Sequence, residues 1–388
     1  MCDTFATIGP RGALFAKNSD RPPTEPQVLE WYPARPAAAS LATQYLEIPD
    51  APTHGVVLSR PTWLFGAEHG VNEHGLAVGN ERVYSRRDLS GPAALIGMDL
   101  VRLTLERARD ADEGLDVLTA LLERHGQGGS GDRDHDDPYD SSFLLCDRRG
   151  GWVVETSGRE WAAEPITDRA AISNRYTIDT RWTRASPGLA PGTSVDDWHD
   201  AAVDTRLADH RLAVTTACAL GDPDPPAAVA TLRHHGTTPW GAPGRHDAPI
   251  PPPAELGDDL AGITVCMHIP GFQATTASMV CELPLDGSPL RVWACLGSPC
   301  VGVFVPFLVP VVPRFLTDAA QWERTVALRD RIDADHDALA ATRAVLDPLE
   351  LELWQEADAL VDAPPGAWQP FGATCGTRIE QALTDLGV

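Results

Sequence analysis

Hydrophobic and polar positions alternate through the first residues of the chain. Thr4, Ala6 and Ile8 interleave with Phe5 and Thr7, the period-two pattern of a strand. Gly9-Pro10-Arg11-Gly12 is turn chemistry, and Ala13-Leu14-Phe15-Ala16 opens a second strand. The segment predicts a hairpin that returns Lys17, Asn18 and Asp20 to the side of Cys2. Residues 21–52 are rich in proline, alanine and polar residues and read as an ordered loop. Short strands are expected at 54–58 and 76–81, with a loop carrying two aromatics at 63–66 and turn residues at 72–75.

The period then becomes helical. Over 97–109, Met98, Val101 and Leu105 share one face, flanked by Leu100 and Leu103. A second helix starts at Asp110, with Glu113 placed as in a capping box. Leu115, Leu118 and Leu122 form its apolar face, and glycines from 126 to 131 stop it. Residues 132–140 are an acidic loop without calcium-loop spacing. Strands at 143–147, 152–156, 161–165 and 170–173 read as an antiparallel meander. Helices at 203–220 and 226–235 are followed by a proline-rich loop at 237–257. Four more strands are expected at 263–268, 274–283, 290–296 and 301–307. The chain ends in helices at 317–345, 348–361 and 375–386, with Asp347 as a cap before a first-turn Pro348. Clustered strands with segregated helices predict an α+β fold. The pattern shows no repeat and no domain boundary.

Composition narrows the function. With 388 residues and 43% hydrophobic content, the chain can bury a large core. A formal net charge of −24 argues against nucleic acid and anionic membranes as partners, and is compatible with a small substrate. Met1-Cys2-Asp3 lacks the basic start and apolar run of a signal peptide. The most apolar window, 301–312, contains Pro306 and Pro310 and is too short to span a bilayer. A cytoplasmic protein is expected; the sequence permits a homo-oligomer without specifying one. The eight cysteines are scattered and read as thiols. Cys295 and Cys300 have four residues between them, and Cys266 lies two before His268. Zinc ligation by these residues competes with buried inert thiols. The thiol reading is favoured, because no second pair has the usual ligand spacing.

Cys2 carries the sharpest chemistry. Its small side chain permits removal of Met1, which would leave an α-amine and a thiol on one residue. With free pKa values of about 7.7–8.0 and about 8.5, the amine can take the thiol proton, so nucleophile and base coincide. A carboxylate returned by the hairpin could hold the amine, and a cation could lower the thiol pKa.

Cys2-Asp3-Thr4-Phe5 with Lys17-Asn18-Ser19-Asp20-Arg21-Pro22 resembles the start of the secernin and dipeptidase family of N-terminal nucleophile hydrolases. Penicillin V acylases and bile salt hydrolases are more distant relatives. Further stretches are similar to secernins: Ser59-Arg60-Pro61 through Glu68, Asn72 to Leu76 with Gly79-Asn80-Glu81, Gly97 to Arg102, Glu123 to Gly129, and Leu296-Gly297-Ser298-Pro299-Cys300. The resemblance implies a four-layer αββα sandwich of two stacked antiparallel sheets in a single domain from residue 2, with Cys2 at the end of a central strand. It implies amide cleavage on small substrates, foremost dipeptides, without metal or organic cofactor. Asp20 would hold the α-amine, and Asn174 and Asn80 are oxyanion donors. Lys17 stands where the acylases carry an arginine, keeping the charge without the planar fork. Asn18, Arg21, Trp63, Phe65, Glu68 and His268 are the candidate substrate-side residues. The acylases also carry a later active-site arginine; the comparable region here, 272–276, has none. A non-hydrolytic secernin-like interaction protein and an acyltransferase using the same nucleophile are the alternatives.

Overall fold

The computed structural model describes residues 1–236 and 262–388; the predicted loop at 237–257 lies outside the described residues. β1 (Cys2–Gly9) and β2 (Gly12–Arg21) form the expected hairpin. Next come β3 (Gln27–Tyr32), the ribbon of β4 (Ser40–Ala42) and β5 (Glu47–Pro49), then β6 (Val56–Pro61), β7 (His69–Asn72) and β8 (Ala77–Val83). Helices α1 (Gly97–Arg107) and α2 (Ala111–His125) precede β9 (Asp140–Cys146), β10 (Gly151–Ser157), β11 (Glu160–Ile166), β12 (Arg169–Ile172) and β13 (Arg184–Ala185). Then follow α3 (Arg206–Leu220), α4 (Pro225–Leu232), β14 (His268–Ile269), β15 (Gln273–Pro284), β16 (Arg291–Leu296) and β17 (Val305–Leu308). The chain closes with α5 (Ala319–Ala334), α6 (Ala338–Asp358) and α7 (Trp368–Asp385).

Two antiparallel sheets organise these elements. One has the order β12-β1-β2-β15-β16-β17, with β14 on β15; the other runs β13-β11-β10-β9-β8-β7-β6-β3. Side-chain alternation buries both faces of each. Ala6, Phe15 and Cys281 of the first sheet meet Ala77, Leu144 and Val57 of the second in a shared core. The opposite face of the first sheet, with Phe5, Leu14 and Val280, packs under Val214 of α3 and Val229 of α4. The opposite face of the second, with Leu58, Val78 and Phe143, packs under Leu100 of α1 and Leu118 of α2. The fold is therefore the four-layer αββα sandwich. No helix among the described residues is long and apolar enough to cross a membrane.

The hairpin register sets Cys2 opposite Ser19, Asp3 opposite Asn18 and Thr4 opposite Lys17. Cys2 and Thr4 thus face the gap between the sheets, and Asp3 faces α3. Gly12 turns with φ 128°, and a Cβ there would lie 2.1 Å from the Leu283 carbonyl oxygen. Only glycine lets β2 lie against β15 at this point.

Several elements differ from the sequence reading. β3 lies inside the stretch read as loop. β12 is not the fourth strand of a meander: it leaves the second sheet and pairs with β1, with Thr4 opposite Ile172. Residues 263–267 are not a strand, because their backbone groups are engaged elsewhere. Cys266 N–H donates to the His234 carbonyl at 3.0 Å, and the Val265 carbonyl accepts from Asn18 Nδ2 at 2.7 Å. The C-terminal helices break at Asp335-His336-Asp337 instead of at Pro348, which sits inside α6. Asp347 is not a cap there; it accepts from Arg343 Nε at 2.8 Å.

Candidate active site

Cys2 begins β1 and is 5% exposed. Its backbone N–H donates to Asn174 Oδ1 at 2.9 Å. Asn174 follows β12, so the transfer of β12 to the first sheet is what delivers this side chain. The Asp20 N–H points at Cys2 Sγ from 3.4 Å, across the hairpin pair. Glu68 Oε2 lies 4.0 Å from the same sulfur. Burial pushes the Cys2 thiol up to about 11, against the pull of Lys17.

Arg211 of α3 ties the cluster together. Nη1 donates to Asp3 Oδ2 at 2.7 Å and to the Cys2 carbonyl at 3.2 Å, and Nη2 donates to Asn174 Oδ1 at 2.7 Å. Because a guanidinium and a backbone N–H both only donate, they fix the Asn174 amide with its oxygen toward Cys2. Its nitrogen donates to the Arg82 carbonyl at 2.9 Å. Asp20 Oδ1 accepts from Thr275 Oγ1 at 2.6 Å, while Oδ2 lies 4.0 Å from Arg211 Nη1. Burial raises the Asp20 carboxyl to about 7, with Met1's amine and Arg211 pulling the other way.

The Met1 amine donates to Gln273 Oε1 at 2.8 Å and the Asp20 carbonyl at 3.2 Å, and burial lowers its pKa. The Met1 side chain packs among Ile263, Met267 and Ile269. Gln273, in the region where the resembled acylases carry an arginine, thus contacts the chain start, and the guanidinium beside Cys2 comes from α3.

The remaining candidates separate into two groups. Lys17, Arg21 and Glu68 converge near Cys2. Lys17 Nζ donates to the Asn80 carbonyl at 2.7 Å and to Glu81 Oε1 at 3.0 Å, and Thr4 hydrogen-bonds the same carboxylate oxygen. Burial pushes Glu81 up to about 7; it would lower Lys17, but Cys2 and Glu81 more than offset that and Lys17 stays charged. Arg21 pairs with Glu68, reaches Glu25 Oε2 from Nε at 2.8 Å, and donates to the Gly131 carbonyl at 2.6 Å.

The others point elsewhere. The Asn80 side chain projects toward α1, with Nδ2 3.7 Å from Met98 Sδ; its carbonyl is what meets Lys17. Asn18 faces the outer helices: Nδ2 donates to the Leu232 and Val265 carbonyls at 2.8 and 2.7 Å, and Oδ1 accepts from Ser278 at 2.6 Å. Trp63 packs on Leu64, Ile96 and Met98. Phe65 lies under the Arg102 guanidinium, 4.3 Å from ring centroid to Cζ. His268 joins Cys266, Cys300 and His235 in a separate buried cluster. Cys295 is absent from that cluster and packs with Trp293 and Phe304.

Sequence reasoning missed Arg211, Asp3 and Thr275. A signal existed for Arg211. Ala208, Arg211, Val214 and Thr215 form the buried stripe of α3, and a cation on such a stripe requires buried partners.

The arrangement holds a thiol, its own backbone nitrogen and a carboxylate in one buried polar cluster. A free amine at Cys2 N would occupy the position now hydrogen-bonded to Asn174. No protein-family model matches the chain. Among solved structures it is similar to penicillin V acylase from Agrobacterium tumefaciens, at 14% identity over 80% of this chain and 87% of that chain, with a TM-score of 0.43. A mutant of conjugated bile acid hydrolase from Clostridium perfringens matches at 13% identity over 75% and 88%, with a TM-score of 0.40. A Caenorhabditis elegans orthologue of N-acylethanolamine-hydrolyzing acid amidase matches at 10% identity over 74% and 94%, with a TM-score of 0.37.

Proposed function

We propose that this chain is a cysteine amidohydrolase of the N-terminal nucleophile kind, that Met1 is removed to create the nucleophile, and that its substrates are dipeptides or other short amides, as in the secernin-like dipeptidases it resembles. One observation carries the reading: Cys2 N and Sγ each have a dedicated buried partner, Asn174 Oδ1 and the Asp20 N–H. In a strand ladder the Cys2 N–H would meet a backbone carbonyl; here it meets a side-chain oxygen that Arg211 holds in place.

Removal of Met1 changes the electrostatics in the required direction. Burial holds the thiol near 11 while Met1 covers it. A chain start at Cys2 gives the sulfur solvent access and an adjacent ammonium, and both favour the thiolate. It also vacates the apolar recess among Ile263, Met267 and Ile269, which suits a small substrate group.

In the proposed reaction the α-amine takes the thiol proton, and Sγ attacks the carbonyl carbon of the amide. The oxyanion needs an N–H donor, and the Asp20 N–H, already aimed at the sulfur, is the one this cluster offers. Asn174 turns its oxygen to Cys2 N and gives its nitrogen to the Arg82 carbonyl, and the Asn80 side chain points to α1, so neither takes the donor role expected of it. The α-ammonium gives its proton to the leaving nitrogen as the C–N bond breaks, leaving a thioester. Water then attacks, giving its proton to the same amine. The C–S bond breaks, the sulfur regains a proton and the acid departs. Arg211 orients the amine through Asn174, and Thr275 holds the Asp20 carboxyl. We place the protein in the cytoplasm, a reading supported by its eight free thiols.

A dipeptide and N-acyl amino acid screen with wild type and Cys2→Ala tests the proposal, with intact-mass measurement on the same samples. Loss of Met1 and loss of turnover in Cys2→Ala are expected. Unchanged turnover in the variant overturns the hydrolase reading. Retention of Met1 on folded protein favours the non-hydrolytic alternative, for which the burial of the Cys2 thiol is the supporting observation.

A further inference from the structure

Away from Cys2, the ligand atoms of His235, Cys266, His268 and Cys300 lie within 4.8 Å of one another, and all four residues are buried. Cys266 Sγ and Cys300 Sγ stand 3.4 and 3.3 Å from His268 Nε2. The His235 ring meets the His268 ring edge-on, with centroids 5.0 Å apart. We propose that these four side chains bind one zinc ion as a closed, structural Cys2His2 centre.

The dimensions agree with the ion. Zinc–sulfur bonds of about 2.3 Å and zinc–nitrogen bonds of about 2.0–2.1 Å give a tetrahedron whose S···N edge is about 3.5 Å. The two measured separations lie close to that edge. The support behind the ligands agrees as well. His268 Nδ1 is 2.9 Å from Asp333 Oδ1 on α5, which leaves Nε2 for the metal. Arg329 Nε, 3.8 Å from Asp333 Oδ2, steadies the carboxylate. A carboxylate behind a ligating imidazole is a recurring feature of zinc centres. A Cys266–Cys300 disulfide would account for the sulfurs and not for two imidazoles closing on them. A Cys300–His268–Asp333 nucleophile would need an open thiol, and Cys300 is 0% exposed.

The ligands come from three places in the chain: the residues after α4, the segment around β14, and the turn after β16. Zinc would staple these together. The middle segment carries Ile263, Met267 and Ile269, which enclose Met1. Its Met267 N–H donates to Thr275 Oγ1 at 2.8 Å, and that hydroxyl donates to Asp20. The centre therefore holds one wall of the Cys2 site, yet its existence does not depend on what Cys2 does.

Elemental analysis of the purified full-length protein is expected to give about one zinc per chain. Cobalt(II) in its place should give the intense visible bands of a tetrahedral thiolate site. Cys300→Ser and His268→Ala should lose the ion, while Cys146→Ser, at a buried thiol outside the cluster, should keep it. Asp333→Asn should weaken zinc about 10- to 100-fold in competition with a chromophoric chelator. The proposal is overturned if wild-type protein takes up no zinc on titration, if its cobalt spectrum is octahedral, or if peptide mapping finds a native Cys266–Cys300 disulfide. The wild-type cobalt spectrum decides the matter even if the ligand variants fail to fold.

Discussion

Arg211 is fully buried and donates to Asp3, the Cys2 carbonyl and Asn174. Truncation would leave a buried carboxylate unpaired, a loss of about 3–5 kcal/mol for a broken buried ion pair. Arg211→Ala should therefore lower the urea midpoint strongly. A milder Arg211→Gln separates folding from chemistry. Arg211 helps hold the Asp20 carboxyl down from where burial would put it. Removing the positive charge raises the Asp20 pKa further, so a larger fraction stays protonated near neutrality. The acid limb of kcat/KM should lie above the usual carboxylate range in wild type, because Asp20 stays buried, and move to higher pH in Arg211→Gln. An unmoved limb would remove Asp20 from the mechanism. At this scale the sequence was half readable. Cys2 and Asp20 lie on one hairpin, so local pattern brings them together. Arg211 and Thr275 reach the site through helix packing and strand pairing far along the chain. The roles of Asn80 and Asn18 depend on which face of a strand each occupies, and that was not legible without the layers.

Elements with strong local signals were found where expected. Asp110 caps α2, accepting from Glu113 N at 2.9 Å, and Gly126 ends it with φ 80°. The elements misread were those settled by distant partners. β12 has the same alternation whether it extends a meander or crosses to β1, so periodicity could not choose. The break before α6 falls at an Asp-His-Asp turn, whereas Pro348 is tolerated within the helix because tertiary packing outweighs local preference. The hairpin itself makes an element-scale prediction. Gly12→Ala would drive a methyl into the Leu283 carbonyl at a backbone angle that side chains resist. Separation of β2 from β15 should cost about 1–3 kcal/mol, read as a lower urea midpoint. Electrophile labelling of Cys2 should change with it, since β2 carries Asp20. Neutral Gly12→Ala stability would show that the turn relaxes without moving the strands.

Across the molecule, titration sets a stability profile that the composition only hints at. Burial raises Asp20, Glu81, Asp99 and Glu155 each to about 7. The folded chain keeps protons on these groups that the unfolded chain has released, so their contribution falls as pH rises through the folded pKa. His69 and His210 act in the opposite sense: burial keeps them neutral, and the unfolded chain protonates them below about 6.5. At about pH 6.5 the two unfolded histidines are half protonated and are outnumbered by the four carboxyls, and their opposing contribution is gone by about pH 7.5. Stability should therefore decline from about pH 6.5 to about pH 8. Glu155 isolates one contribution, because it lies apart from Cys2. Its Oε1 accepts from Thr177 N at 2.6 Å and Thr177 Oγ1 at 2.9 Å, and its Oε2 accepts from Ile178 N at 3.2 Å. Glu155→Gln removes the titration, so the decline measured by urea unfolding should be shallower in the variant than in wild type. Parallel curves would mean that Glu155 is already ionised throughout, with the three hydrogen bonds outweighing its burial.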